Sequence, residues 1–179
     1  FAKDDPLIEL DLGGIAKGYA ADVIKEYLIS SGVESAIIDL GGNILLIGGN
    51  PNKQSGLFRV GIQYPFSDGV IASVDLSGMS IVTSGTYERY FEAEGIIYHH
   101  ITDPATGYPA DNGLLSVTII SSSSADGDAL STACFVMGPE KGMEYINSLE
   151  GIYAIFIDSS YDVHLSDGLE QAFSVTVYK

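Results

Sequence analysis

The chain has 179 residues, 46% hydrophobic and only 18% charged, a balance that suits a packed globular domain and excludes intrinsic disorder. Lys and Arg number 8 against 24 Asp and Glu, for a net charge of −16. Nucleic acid and anionic membranes are therefore excluded as partners, and an anionic ligand needs a metal ion or local Lys and backbone donors to bind.

The opening Phe1-Ala2-Lys3-Asp4-Asp5-Pro6 carries no leader pattern and reads as an internal start, with one domain expected over 1–179. Residues 7–12 alternate apolar and acidic, as a half-buried strand does. After Gly13-Gly14, the apolar residues Ile15, Tyr19, Ala20, Val23, Ile24, Tyr27 and Leu28 recur at helical spacing, and Gly32 predicts the stop. Residues 35–40 and 44–47 read as strands around the turn signal Gly41-Gly42-Asn43. Residues 57–64, 71–76, 80–83, 96–102 and 115–121 are further strand candidates. Helices follow over about 125–137, closed by Gly138-Pro139, and about 140–149. A hairpin of 153–158 and 163–166 and a final strand over 173–178 complete the chain. The expected class is α+β, a layered domain of mostly antiparallel sheet with helices packed on one face. Cys134, the only cysteine, lies in the run Ala133-Cys134-Phe135-Val136-Met137 and reads as a buried, inert thiol.

Three segments carry chemistry. In Asp128-Ala129-Leu130-Ser131-Thr132, a carboxylate and a hydroxyl stand four residues apart, so Asp128 and Thr132 share a helix face. Two hard oxygen donors suit Mg²⁺ or Ca²⁺ better than a soft metal. The plain alternative is a helix start capped by its own Asp. The segment Asp11-Leu12-Gly13-Gly14-Ile15-Ala16-Lys17-Gly18 places a carboxylate, two glycines and a lysine at a helix N-terminus, where backbone N–H groups and the dipole favour an anion. The third comprises the hydroxyl-rich turn Thr83-Ser84-Gly85-Thr86-Tyr87-Glu88-Arg89-Tyr90-Phe91 and the strand and loop His99-His100-Ile101-Thr102-Asp103-Pro104. His99 and His100 face opposite sides of a strand, so at most one of them enters a given site as a general base. His164 sits in a hairpin strand without polar company and receives no role.

In this order the motifs DLGGIAKGYAAD, GGN, TSGTYERYF, HHITDPATGYP and DALST resemble the ApbE family, the FAD:protein FMN transferases once called thiamine biosynthesis lipoproteins. The resemblance runs over essentially the whole chain, which looks like the C-terminal portion of a longer family protein. It implies that Asp11, Lys17 and Ile101 contact FAD. It also implies that the Gly14 carbonyl, Asp128 and Thr132 bind Mg²⁺, or Mn²⁺ or Ca²⁺ in its place, with Ser131 at an adjoining ligand position. His100 matches the family's motif histidine and is the implied base. The implied reaction moves FMN from FAD to a Thr or Ser hydroxyl of a partner flavoprotein and releases AMP. Implied partners are flavoprotein subunits of redox pumps or extracellular electron-transfer proteins. The implied location is extracytoplasmic, with membrane attachment only through a lipid anchor outside this chain. An FAD pyrophosphatase and a non-catalytic flavin-binding module remain the alternatives. Two positions depart from the pattern, Thr86 where the family has Asp and Ala105 where it has a basic residue. The first is expected to remove a carboxylate near the active site.

Overall fold

Six antiparallel strands make the central sheet of the computed structural model, which describes residues 4, 7, 9 and 11–178. The elements in chain order are α1 (Ala16–Ser30), β1 (Ala36–Asp39), β2 (Asn43–Ile47), β3 (Phe58–Gln63), β4 (Val70–Leu76) and β5 (Ser80–Gly85). Then come β6 (Tyr90–Ala93), β7 (Ile96–His99), β8 (Leu114–Ser121), α2 (Ser124–Met137) and α3 (Pro139–Asn147). The chain closes with β9 (Tyr153–Asp158), β10 (Val163–Leu165), α4 (Leu169–Ala172) and β11 (Ser174–Val177). The central sheet runs β1-β2-β5-β8-β9-β10, and a second sheet runs β11-β4-β3.

Strand alternation decides what each face buries. From β9, Ala154 and Phe156 pack toward the helices with Val117, Ile119, Cys134, Phe135 and Ile146. Its neighbours Ile155 and Ile157 point the other way, into a cluster with Val60, Ile62, Ile71 and Val74 of the second sheet. A sheet covered on both faces needs apolar residues at every position, which is why 153–157 reads as one continuous apolar run. By contrast β3, covered on one face only, alternates strictly between buried and exposed residues. The α+β expectation holds, with α1, α2 and α3 on one face of the central sheet and the smaller sheet, joined by Leu169 of α4, on the other. Cys134 is fully buried, and desolvation pushes its thiol up to about 11, well outside the range of a reactive cysteine.

Several local expectations change. The strand expected over 7–12 includes residues 8 and 10, which lie outside the described residues. Asp11 and Leu12 belong to no strand. Instead Asp11 Oδ1 accepts the Gly13 N–H at 2.7 Å, a side-chain turn that competes with strand pairing. The aromatic segment after Arg89 is strand β6, paired with β7 in a two-stranded sheet of its own. Strand β7 ends at His99, and Thr102 forms an isolated bridge with Pro109. A one-turn helix, α4, precedes the last strand. His164 does have polar company: its Nε2 lies 2.7 Å from Asp158 Oδ2. The β9–β10 register pairs His164 with Phe156, which makes Asp158 its diagonal neighbour across the hairpin.

Candidate active site

Two helices cross at the heart of the site and cap each other. Helix α1 begins without a side-chain cap of its own. Its Gly18 N–H is instead accepted by Asp128 Oδ2 of α2 at 2.8 Å. In return, Asp22 of α1 accepts the Ser124 and Ala125 N–H groups that open α2, at 3.0 and 2.9 Å. Ser123 caps the next N–H of α2, that of Asp126. The capping alternative for Asp128 is thus correct in kind but wrong in target, because Asp128 caps the other helix. The crossing is close enough to demand glycine: a Cβ on Gly18 would stand 2.2 Å from the Ser124 carbonyl oxygen.

In front of this crossing opens a cleft of about 450 Å³. Asp11, Gly14, Lys17, His100, Ile101, Asp128 and Thr132, singled out from separate parts of the sequence, all line it. Ser131 does not; it is fully buried behind Thr132. Glu88, Arg89 and Ser84 line the cleft as well. None of these three was singled out from the sequence, although all lie in the hydroxyl-rich segment. Ser84 is carried to α2 by β5, whereas Glu88 and Arg89 lie in the turn that follows that strand. Thr86, expected near the active site, lies on a separate cavity and bonds the Leu115 carbonyl. Its departure from the family pattern therefore leaves the cleft wall itself untouched.

The hydroxyls form a directed chain. Ser131 Oγ donates to the Asp128 carbonyl at 2.9 Å, so its one proton is engaged. Ser84 Oγ, 2.8 Å away, then donates to Ser131, and Thr132 Oγ1 donates to Ser84 at 3.2 Å. Both lone pairs of Thr132 stay available to the cleft. Asp128, 3% exposed, keeps Oδ1 beyond the oxygen that holds Gly18. A Cβ on Gly14 would stand 3.6 Å from Thr132 Oγ1, so the Gly14 backbone borders the same hydroxyl. One carboxylate with neutral oxygens suits Mg²⁺, which keeps waters and substrate phosphates as its other ligands. Among the described residues there is no group of three or more His, Cys, Asp or Glu of the kind that holds zinc.

Opposite these oxygens stand the charges for an anion. Lys17 Nζ donates to the Gly41 carbonyl at 3.0 Å, tying α1 to the glycine turn. Burial raises the Glu88 carboxyl above its ordinary range, with Lys17 and Arg89 opposing that shift and Asp128 adding to it. The two histidines separate, although His100 stands one residue beyond the end of β7. His99 Nδ1 accepts the Ile101 N–H at 3.3 Å, so Nε2 carries the proton and donates to the Ala110 carbonyl at 3.2 Å. Desolvation lowers its pKa, and its ring packs edge-on against Phe135. His100 Nδ1 faces the Arg89 carbonyl at 3.2 Å, so in the neutral ring Nδ1 carries the proton and Nε2 is the acceptor.

The model of the ApbE family matches residues 1–156. A curated FAD:protein FMN transferase of Klebsiella pneumoniae strain 342 is 47% identical over 171 residues, covering 94% of this chain and 52% of its own length. One from Treponema pallidum is 42% identical, covering 90% of this chain and 47% of its own. Among solved structures, the ApbE protein of Thermotoga maritima superposes with a TM-score of 0.83 at 36% identity, over 91% of this chain and 53% of that one. The apo flavinyl transferase ApbE of Pseudomonas stutzeri gives 0.78 at 34% identity, over 94% and 53%. The chain spans about half the length of the curated relatives it matches.

Proposed function

The chain belongs to the ApbE family, and on that premise we propose that its cleft carries the chemistry of an FAD:protein FMN transferase. One observation supports this above the rest: residues from four distant segments, among them Lys17, His100, Asp128 and Thr132, line a single cleft. In the proposed reaction a Thr or Ser hydroxyl oxygen of an acceptor flavoprotein attacks the phosphorus on the FMN side of FAD. The P–O bond to the other phosphate breaks, its oxygen leaves with AMP, and the hydroxyl proton passes to a base.

Each residue has a task within that reading. Lys17 and the Gly14 N–H bind the pyrophosphate, while Asp11 and Ile101 border the rest of FAD. In the neutral ring, whose tautomer the Nδ1 contact to the Arg89 carbonyl sets, His100 Nε2 takes the hydroxyl proton. Asp128, Thr132 and the Gly14 carbonyl would hold Mg²⁺, with Ser131 and Ser84 behind them orienting the Thr132 hydroxyl. Bound there, Mg²⁺ supplies charge neutralisation at the phosphate oxygens.

A redox-pump or extracellular electron-transfer flavoprotein as acceptor, and an extracytoplasmic setting with a lipid anchor, belong to the same proposal. Among the described residues no helix is long and apolar enough to cross a membrane. The test is incubation with FAD, Mg²⁺ and a peptide bearing one threonine. Mass spectrometry for an FMN–peptide adduct and chromatography for AMP read the result. Free FMN with AMP and no adduct identifies a pyrophosphatase, and retained FAD with no AMP a binding module.

A further inference from the structure

In the proposed transferase reaction the cleft takes FAD, one of two substrates. Behind one of its walls lies a second cavity, of about 570 Å³. The wall is one layer of chain thick: His99 lines the second cavity, whereas His100 and Ile101 line the cleft. Thr102 on the cleft side bridges to Pro109 on the other.

The two linings differ in chemistry. The cleft sets two cations, Lys17 and Arg89, among the carboxylates Asp11, Glu88 and Asp128, whereas no Lys or Arg lines the second cavity. Asp111 is the one charged side chain lining the second cavity, and Phe66, Ile97, Tyr108 and Leu114 make its surface largely apolar. Both ring nitrogens of His99 are engaged by backbone groups, so it offers no binding cation. A flavin phosphate is repelled from such a lining, whereas an uncharged apolar side chain gains by burial there. Tyr108, 68% exposed, stands at the rim where a polypeptide arriving from solvent meets it first.

We propose that the second cavity binds an apolar side chain flanking the acceptor hydroxyl, and so holds the acceptor polypeptide with that hydroxyl over the shared wall beside His100. This rests on the transferase reading of the cleft. It adds where the second substrate is recognised and by what chemistry.

The test uses the 179-residue chain with FAD, Mg²⁺ and two peptides, each bearing one threonine, flanked on both sides by leucine in one and by serine in the other. Two variants accompany it: Tyr108→Ala, which removes the rim ring, and Ser159→Trp, which fills the cavity from an exposed lining position. The wild type should prefer the leucine peptide at least about tenfold in kcat/KM, the lower bound for loss of an apolar contact. Both variants should shrink that preference by raising KM for the leucine peptide, with kcat at saturating peptide and KM for FAD unchanged. Transfer with the preference intact in both variants overturns the cavity assignment and leaves the transferase reading standing. A parallel loss of FAD affinity gives the cavity to the flavin and also overturns it. A wild-type chain that forms no FMN–peptide adduct overturns the transferase reading, and this inference with it.

Discussion

Asp128 accepts the backbone N–H of Gly18 at 2.8 Å across a sequence separation of 110 residues. The same carboxylate is the one formal charge in the proposed metal site, so it holds the α1–α2 crossing together and also faces the cleft. Structure and chemistry can be separated at this residue by choosing the substituent.

Asp128→Asn keeps an oxygen for the Gly18 N–H and removes the charge, whereas Asp128→Ala removes both. The alanine variant should lose about 1–3 kcal/mol of stability in urea unfolding, the usual cost of orphaning a buried N–H that had a charged acceptor. The asparagine variant should lose clearly less. Both should fail to bind Mn²⁺ by electron paramagnetic resonance and should lack transfer at millimolar Mg²⁺. If Asp128→Ala retains wild-type Mg²⁺ dependence, the cap is the whole role of this residue.

Thr132 contributes a neutral dipole, not a charge, and its loss should be milder. Thr132→Ala should weaken Mn²⁺ binding yet recover part of its transfer rate as Mg²⁺ is raised. Mn²⁺ should replace Mg²⁺ in the wild type, sharing its preference for oxygen ligands. Full activity in EDTA would count against any metal at this position.

Gly18→Ala sets two effects against each other. Helix propensity favours alanine by about 1 kcal/mol. The new Cβ, however, would stand 2.2 Å from the Ser124 carbonyl oxygen and 2.7 Å from Ala125 Cα, both backbone atoms that cannot step aside alone. Overpacking of this kind costs about 1–3 kcal/mol or more, so the variant should be net destabilised in urea unfolding. Because the helices must part, Mn²⁺ affinity should fall with it. A stabilised Gly18→Ala protein would show that the crossing is loose.

The two histidines should differ in what they damage. His100→Ala should slow transfer about 10²–10⁴-fold, with FAD affinity nearly unchanged in fluorescence titration. His99 should act on stability instead. Its pKa is held below the ordinary 6.5, chiefly by burial, so the unfolded chain binds its proton more readily than the folded one. Stability from this group is present above about pH 6.5 and is lost as pH falls from there through the lower folded value. Chemical unfolding between pH 7 and 5 should therefore be steeper in pH for wild type than for His99→Gln. Equal slopes would remove His99 from the acid response.

Much of this protein is determined by short-range pattern. Apolar residues at helical spacing mark α1, the run up to Met137 marks α2, and Gly32 and Gly138 mark their ends, all within a few residues of the atoms concerned. The i, i+4 spacing likewise puts Asp128 and Thr132 on one face, whereas His99 and His100 part at the end of β7, where strand alternation no longer applies. Only tertiary structure decided which cavity each histidine meets, that Ser84 would hold Thr132, and that Asp128 would cap α1 in place of α2. The Asp158 partner of His164 and the pairing of β6 were of the same kind, set by hairpin register and not by composition. The physical reason is range. A helix or strand period is written in neighbouring residues, whereas a buried donor takes whichever acceptor the packing brings to it, and for Gly18 that acceptor lies 110 residues along the chain.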